Sequence, residues 1–249
     1  MKKRILIIGE SVMDIFVYCD AERLAPDLPI PVIRIIRQTT NPGMAKNVER
    51  NIENVAGNIC DIITNKNWKD VTKTRYVHHT SNHAFVRVDA NDDKIPRADV
   101  RKINFNKYNL VAISDYNKGF LTEDDIAYIC KKHKNVFIDT KKKLGKWASR
   151  ARFIKINNYE YEHSPKEILN LFKNKIICTK GSGGAVYGDK IFPVEKIEIK
   201  DSSGAGDSFF AALIVKYLED QNIEESIKFA NICASQVVKE RGVTVIKKH

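Results

Sequence analysis

The sequence predicts an α/β fold: a mostly parallel sheet flanked by helices, with a small β-sheet forming a lid beside it. Three observations carry this. Short β-branched apolar runs, each ending on a small or polar residue, alternate with helix-like stretches. The runs are continuously apolar, as strands covered on both faces must be. Finally, two strand-like segments near the N-terminus follow one another with no helix between them, so they belong to a separate sheet.

In chain order, residues 5–8 form the first apolar run and stop at Gly9. Residues 15–19 and 31–37 are the consecutive lid candidates, joined by residues 84–89, which alternate with a period of two. A helix is expected over 45–55. The stretch 58–76 is polar and rich in Asn and Lys, and reads as loop and irregular structure. Runs at 110–113, 136–138, 153–156 and 176–178 then lead into Ser114-Asp115, Asp139, Asn157-Asn158 and Thr179-Lys180-Gly181. In a parallel sheet the ligand lies beyond the carboxyl ends of the strands, so these polar residues gather on one edge. Thr122-Glu123-Asp124-Asp125 starts a helix with acidic residues in its first turn and lysines near its end, as the helix dipole favours. Ser164-Pro165-Lys166-Glu167 reads as a capping box with proline at the first helical position. Further helices are expected over 208–218 and 224–239.

Bulk composition narrows the function classes. The 249 residues are 43% hydrophobic and 29% charged, an ordinary globular mixture treated as a single domain over 1–249. No window approaches the ~18 uninterrupted apolar residues of a membrane span. The short N-terminal apolar run, followed at once by Glu10 and Asp14, reads as a strand and not a leader, so a cytoplasmic protein is expected. Five cysteines lie far apart with no C-x-x-C pair, against a zinc ribbon or disulfide framework. The net charge of +11 is scattered, with no nucleic-acid-binding motif, so it points to a solvated surface that attracts anionic small molecules and not to nucleic acid as partner.

The strongest chemical signal is Asp201-Ser202-Ser203-Gly204-Ala205-Gly206-Asp207 followed by an apolar helical run. Small residues let the backbone turn so that successive N–H groups point outward at a helix N-terminus, an anion hole for phosphate. An aspartate at its mouth can accept a hydroxyl proton as that oxygen attacks phosphorus. A glycine-rich turn capped by Asp207 is the plain structural alternative. No G-x-x-x-x-G-K-[ST] or G-x-G-x-x-G occurs, which removes the Walker and dinucleotide readings.

This segment resembles the C-terminal signature of the PfkB carbohydrate kinases. The resemblance implies that Asp207 is the catalytic base, that Gly204, Ala205 and Gly206 form the anion hole, and that Asp201 and Ser203 lie near a monovalent cation such as K⁺. Asn157-Asn158-Tyr159-Glu160 is similar to the family's N-x-x-E element, which implies that Asn157 and Glu160 organise Mg²⁺ and its waters around ATP. Thr179, Gly181 and Gly184 match the nucleotide loop, and Asn231 the late helix bordering adenine.

The acceptor half resembles the heptose-7-phosphate kinase branch through Gly9-Glu10-x-x-Met13-Asp14, residues 23–32, Ser114-Asp115-Tyr116-Asn117-Lys118-Gly119 and Asp139-Thr140-Lys141. By that resemblance, Asp14, Gly43, Asn47, Asp115 and Lys118 bind the sugar, with Lys118 or Arg23 meeting a substrate phosphate. The lid strands would also be a homodimer interface. Departures are present. Met44 and Glu49 stand where the family has a glycine and a small residue, a change expected to narrow the pocket or alter the acceptor. The chain also lacks a strand–helix unit between Gly57 and Tyr76, and it is expected to be a kinase domain without an adenylyltransferase. A kinase for another sugar or a nucleoside, a degenerate non-catalytic ATP-binding module and a charge-driven nucleic-acid binder remain the alternatives.

Overall fold

Twelve strands and six α-helices build two sheets in the structure, a computed structural model that describes residues 3–247. The main sheet takes β1 (Ile5–Gly9), β4 (Cys60–Ile63), β7 (Leu110–Asp115), β8 (Val136–Thr140), β9 (Phe153–Asn157), β10 (Ile176–Thr179), β11 (Ala185–Tyr187) and β12 (Lys190–Phe192). Their spatial order is β12-β11-β10-β9-β8-β7-β1-β4. All neighbours from β4 to β10 run parallel, and β11 and β12 add an antiparallel end.

The continuous apolar runs are explained by what lies on each face. Ile5, Ile7, Leu110, Ala112 and Phe137 point into one core layer, with α1 (Ala45–Ala56), α5 (Ala205–Asp220) and α6 (Ile223–Val237). Leu6, Ile8, Val111, Ile113 and Ile138 point into the other, with α2 (Glu123–Lys132) and α4 (Lys166–Leu171). Alternate residues thus serve opposite cores, each strand having two buried faces. Helix α5 lies within the larger core and is apolar nearly all round, as a buried helix must be.

The second sheet has the order β3-β2-β5-β6, from β2 (Ser11–Leu24), β3 (Pro31–Met44), β5 (Thr72–His78) and β6 (Ala84–Ala90). The lid strands β2 and β3 are much longer than the expected 15–19 and 31–37. The reading of 58–76 as irregular is corrected: it contains β4 and most of β5. Both are hidden in the sequence for a physical reason. Strand β4 is a short edge strand with three of its four residues only half-buried, and β5 carries polar side chains on a mostly half-buried strand. A strand that buries little needs little apolar signal.

Two helix starts were expected, one from a capping box at Ser164 and one from the acidic first turn after Thr122. At α2, Thr122 accepts the Asp125 N–H while the Asp125 carboxylate accepts the Thr122 N–H, a reciprocal capping box. At α4 the expected box does not form, because Ser164 is drawn into the core. Its hydroxyl donates to the Glu160 carbonyl and accepts the Leu144 N–H, and Pro165 is left as the cap residue.

Candidate active site

Helix α5 begins where Gly204 turns left-handed, at φ 81°. Only glycine fits there, since a Cβ would stand 2.9 Å from Asn47 Nδ2. The helical ladder starts with the Ser208 N–H donating to the Gly204 carbonyl, and the Ala205 N–H donates to the Ser202 carbonyl. The amides of Gly206 and Asp207 therefore come before the helix's own bonding pattern and suit an anion. This refines the expected hole, in which Ala205 was a donor.

Asp207 is buried at this helix start. Asn47 Nδ2 donates to its Oδ2 at 3.0 Å and Tyr116 Oη donates to its Oδ1 at 2.5 Å. Each carboxylate oxygen keeps a lone pair for a further proton. Burial pushes the carboxyl up to about 6; the bonds from Tyr116 and Asn47 pull the other way, and neighbouring Asp139 adds to the rise. Such a group is ionised at neutral pH and basic enough to take a proton. Burial and the adjacent Asp207 raise the Tyr116 phenol well above its usual value, so it stays a donor.

Cationic charge lines the same edge. Lys155 Nζ lies 2.8 Å from Asp139 Oδ2, and both side chains are buried. A Cβ on Gly206 would approach Lys155 Nζ to 3.1 Å, so the ammonium sits directly against the anion hole. The other oxygen, Asp139 Oδ1, is buried without a hydrogen-bond partner among the described residues. Lys141 pairs with Glu160 at 2.9 Å. Burial alone would lower the Lys141 ammonium, but Asp139, Glu160 and Asp207 outweigh it and hold it above its usual value. Glu160 also accepts the Asn157 N–H at 2.6 Å, and Asn157 Oδ1 accepts the Glu160 N–H, so the N-x-x-E element is a capping box opening α3 (Asn158–Glu162).

A cavity of about 700 Å³ opens over these groups. It brings together Asn157, Thr179, Gly181, Gly184, Asn231 and the Gly204–Asp207 turn, all singled out from the sequence. Gly184, at φ 77°, lets the loop after β10 pass the Phe192 carbonyl, which a Cβ would meet at 2.1 Å. Asn231 Nδ2 donates to that same carbonyl at 2.8 Å, fixing α6 against β12. The cavity has room for a nucleotide-sized ligand, and Lys155, Lys141 and the free amides at the start of α5 give one side of it a character suited to a polyanion. The carboxylates of Glu160 and Asp139, the latter with an orphaned oxygen, suit a hydrated divalent cation.

On the acceptor side, Asp14 pairs with Arg75 of β5 at 2.8 Å, and Gly43 packs so closely that a Cβ would stand 2.2 Å from Asp14 Oδ2. Asn47 joins this side to Asp207. Two expected sugar ligands are placed differently. Asp115 is buried, its Oδ1 accepting from Lys142 Nζ at 3.0 Å and its Oδ2 from Thr140 Oγ1 at 2.5 Å. Its carboxylate is spent on fixing strand ends. Lys118 Nζ is paired with Asp92 at 2.5 Å, and its backbone N–H donates to Glu10. Met44, expected to narrow the pocket, is buried in the second core beside residues such as Val12 and Val71. It adopts φ 57° at the α1 cap, a conformation that favours glycine. Glu49 is paired with Lys46 at 2.6 Å. Asp201 does not stand free: its Oδ1 accepts the Ser203 N–H and its Oδ2 the Gly242 N–H, tying the loop before α5 to the segment after α6.

Sequence reasoning assigned no role to Tyr116, Lys155 or Arg75, and placed Asp139 only on the strand-end edge where a ligand would lie. Lys155 carried a signal all the same: a lone lysine inside the run Phe153-Ile154-Lys155-Ile156 of a doubly buried strand demands a buried partner.

Comparison with known proteins agrees with this geometry. The chain is 28% identical over 296 aligned residues to the bifunctional protein HldE of Helicobacter pylori strain Shi470, covering 96% of this chain and 64% of that protein. HldE of Sulfurimonas denitrificans is 26% identical, with 98% and 62% covered. The chain thus spans somewhat under two thirds of the length of these relatives. Its fold is similar to ribokinase from Thermotoga maritima, with a TM-score of 0.73 at 18% identity over 97% of this chain and 94% of that one. The nucleoside kinase of Methanocaldococcus jannaschii gives 0.73 at 18% over 100% and 95%. The fold is therefore ribokinase-like. Residues 44–248 match the profile described as pfkB family carbohydrate kinase. This chain belongs to the pfkB family of carbohydrate kinases, phosphotransferases with an alcohol group as acceptor.

Proposed function

We propose that this kinase transfers the γ-phosphoryl group of ATP to a sugar-phosphate hydroxyl, the anomeric hydroxyl of a heptose 7-phosphate being the favoured acceptor. The observation that carries the reading is Asp207: a buried carboxylate at a helix N-terminus, held from two sides and facing a nucleotide-sized cavity. The acceptor oxygen attacks the γ-phosphorus while Asp207 takes its proton, and the bond from the γ-phosphorus to the bridging oxygen breaks to release ADP. Lys155, Lys141 and the Gly206 and Asp207 amides offset the charge that collects on the transferring group. Asn157 and Glu160 would hold Mg²⁺ through its waters, and the ion would supply neutralising charge to the phosphates. Asp201 and Ser203 border the place proposed for K⁺.

The heptose assignment rests on the HldE likeness. A different sugar or a nucleoside is the second reading, favoured by Asp115 and Lys118 being engaged by Lys142 and Asp92. The exposed Ile35, Ile36, Val86 and Val88 of the lid support a homodimer formed through it. No helix among the described residues is long and apolar enough to cross a membrane. ADP release with a panel of sugars, sugar phosphates and nucleosides tests the proposal, with Asp207→Asn as control. Turnover of D-glycero-D-manno-heptose 7-phosphate, lost in the variant, supports it. Turnover of another acceptor alone moves the assignment to that acceptor. Silence across the panel with ATP still binding favours a non-catalytic module.

A further inference from the structure

Far from the phosphate edge, the turn between β5 and β6 collects three metal-ligating groups. Asp20 comes from β2 and is buried; His78 ends β5, and His79 begins the turn. Successive residues of a regular strand face opposite sides. Here the strand stops at His78, and the two imidazoles end with centroids 5.2 Å apart, both directed at one carboxylate. His79 Nδ1 lies 2.5 Å and His78 Nε2 3.7 Å from Asp20 Oδ1. One ligand atom from each residue falls within 4.8 Å of the others.

We propose that Asp20, His78 and His79 form a site for a divalent transition-metal ion of the zinc class on the lid. Ligand atoms about 2.0–2.1 Å from a tetrahedral zinc stand roughly 3.3 Å apart. The observed 2.5 and 3.7 Å bracket that spacing, so small side-chain rotations suffice. Two imidazoles and a carboxylate with an open position are a donor set for zinc, cobalt or nickel, not for magnesium. His78 is already oriented: its Nδ1 faces the hydroxyls of Thr80 and Ser81 at 3.1 Å, which can accept Nδ1–H and leave the Nε2 lone pair to a metal. The Ser81 N–H at 3.2 Å and Arg34, 2.9 Å from Asp20 Oδ2, oppose the ion. Arg34 is largely exposed and free to swing away. The five cysteines are buried, so they do not compete for an added ion.

The turn is also a strap. The carbonyls of His79 and Thr80 accept from Arg241, and Asn82 Nδ2 donates to the Lys200 carbonyl. An ion here would fasten the lid to the segments joined by Asp201.

Titration of the whole chain with Co²⁺ and Zn²⁺, in excess Mg²⁺ to fill the phosphate edge, tests the proposal. Expected is one Co²⁺ per chain with visible ligand-field absorption, displaced by Zn²⁺, and a higher unfolding temperature with the ion bound. His78→Gln and His79→Gln should each weaken binding at least about tenfold. Arg34→Gln, which removes a competing cation, should tighten it. Absence of saturable binding, or unchanged affinity in the histidine variants, overturns the site. Should those variants fail to fold, Arg34→Gln decides: affinity equal to or below that of the natural chain refutes the assignment.

Discussion

Replacing Asp207 by Asn should abolish activity and stabilise the protein in a pH-dependent way. The ordinary carboxyl value of 3.8 rises to about 6 in the fold, chiefly through burial. The folded protein therefore binds more protons than the unfolded chain between these values, and stability falls as pH rises through that window. The rise corresponds to about 3 kcal/mol, fully felt above about pH 7 and absent below about pH 3. Asparagine carries no charge and escapes this cost. It also disturbs the bonds from Asn47 and Tyr116, a loss of about 1–2 kcal/mol that does not vary over this pH range. The stability difference between variant and natural protein, from urea unfolding at several pH values, should therefore shift in the variant's favour by about 3 kcal/mol from pH 3 to pH 7.5. Turnover should drop by about 10²–10⁴-fold. A stability difference that stays flat with pH would refute the account of Asp207 as a desolvated carboxylate, whatever happens to activity.

Tyr116→Phe removes a bond that holds Asp207 down, so the acid limb of the pH–rate profile, expected near pH 6, should move to higher pH. An unmoved limb would dissociate the phenol from the base. Lys155→Met leaves Asp139 buried without its cation and should cost about 3–5 kcal/mol in urea unfolding. Adding Asp139→Leu should restore most of that stability but no activity. Gly43→Ala pushes a methyl group onto Asp14 and should lower kcat/KM for the acceptor about 10–100-fold, with KM for ATP unchanged in initial-rate kinetics.

The nucleotide half was legible because its chemistry is local. Gly204-Ala205-Gly206-Asp207, Asn157-x-x-Glu160 and the Gly181–Gly184 loop each sit at the end of a strand or the start of a helix, where sequence signals are strongest. Strands β9 and β10, which lead into two of them, are doubly buried and read as apolar runs broken only by Lys155. The acceptor half depends on contacts far apart in sequence. Nothing near Asp115 shows that Lys142 will take its carboxylate, nor does anything near Asp14 show that Arg75 will face it. Strands β4, β5, β11 and β12 are short or half-buried, so their burial left little periodic trace. Met44, expected from the sequence to narrow the pocket, turns its side chain into the core, and its consequence is backbone strain at the α1 cap.

The pairing of β2 with β5 has a consequence for how the molecule assembles. Strand β2 meets β3 as a neighbour in sequence, yet its other edge waits for β5, some sixty residues on, with α1 and β4 between them. The chain thus leaves the main body at Glu10, returns at Ala45, leaves again for Thr72 and returns after Ala90. Closing such a loop costs entropy before its pairing can compensate, so the β2–β5 ladder is a slow step, whereas the local β5–β6 hairpin can form before it. Asp14 and Arg75 lie on the two strands of that ladder. In refolding, competence to bind nucleotide should therefore precede competence to hold the acceptor, leaving a transient species with the first and without the second.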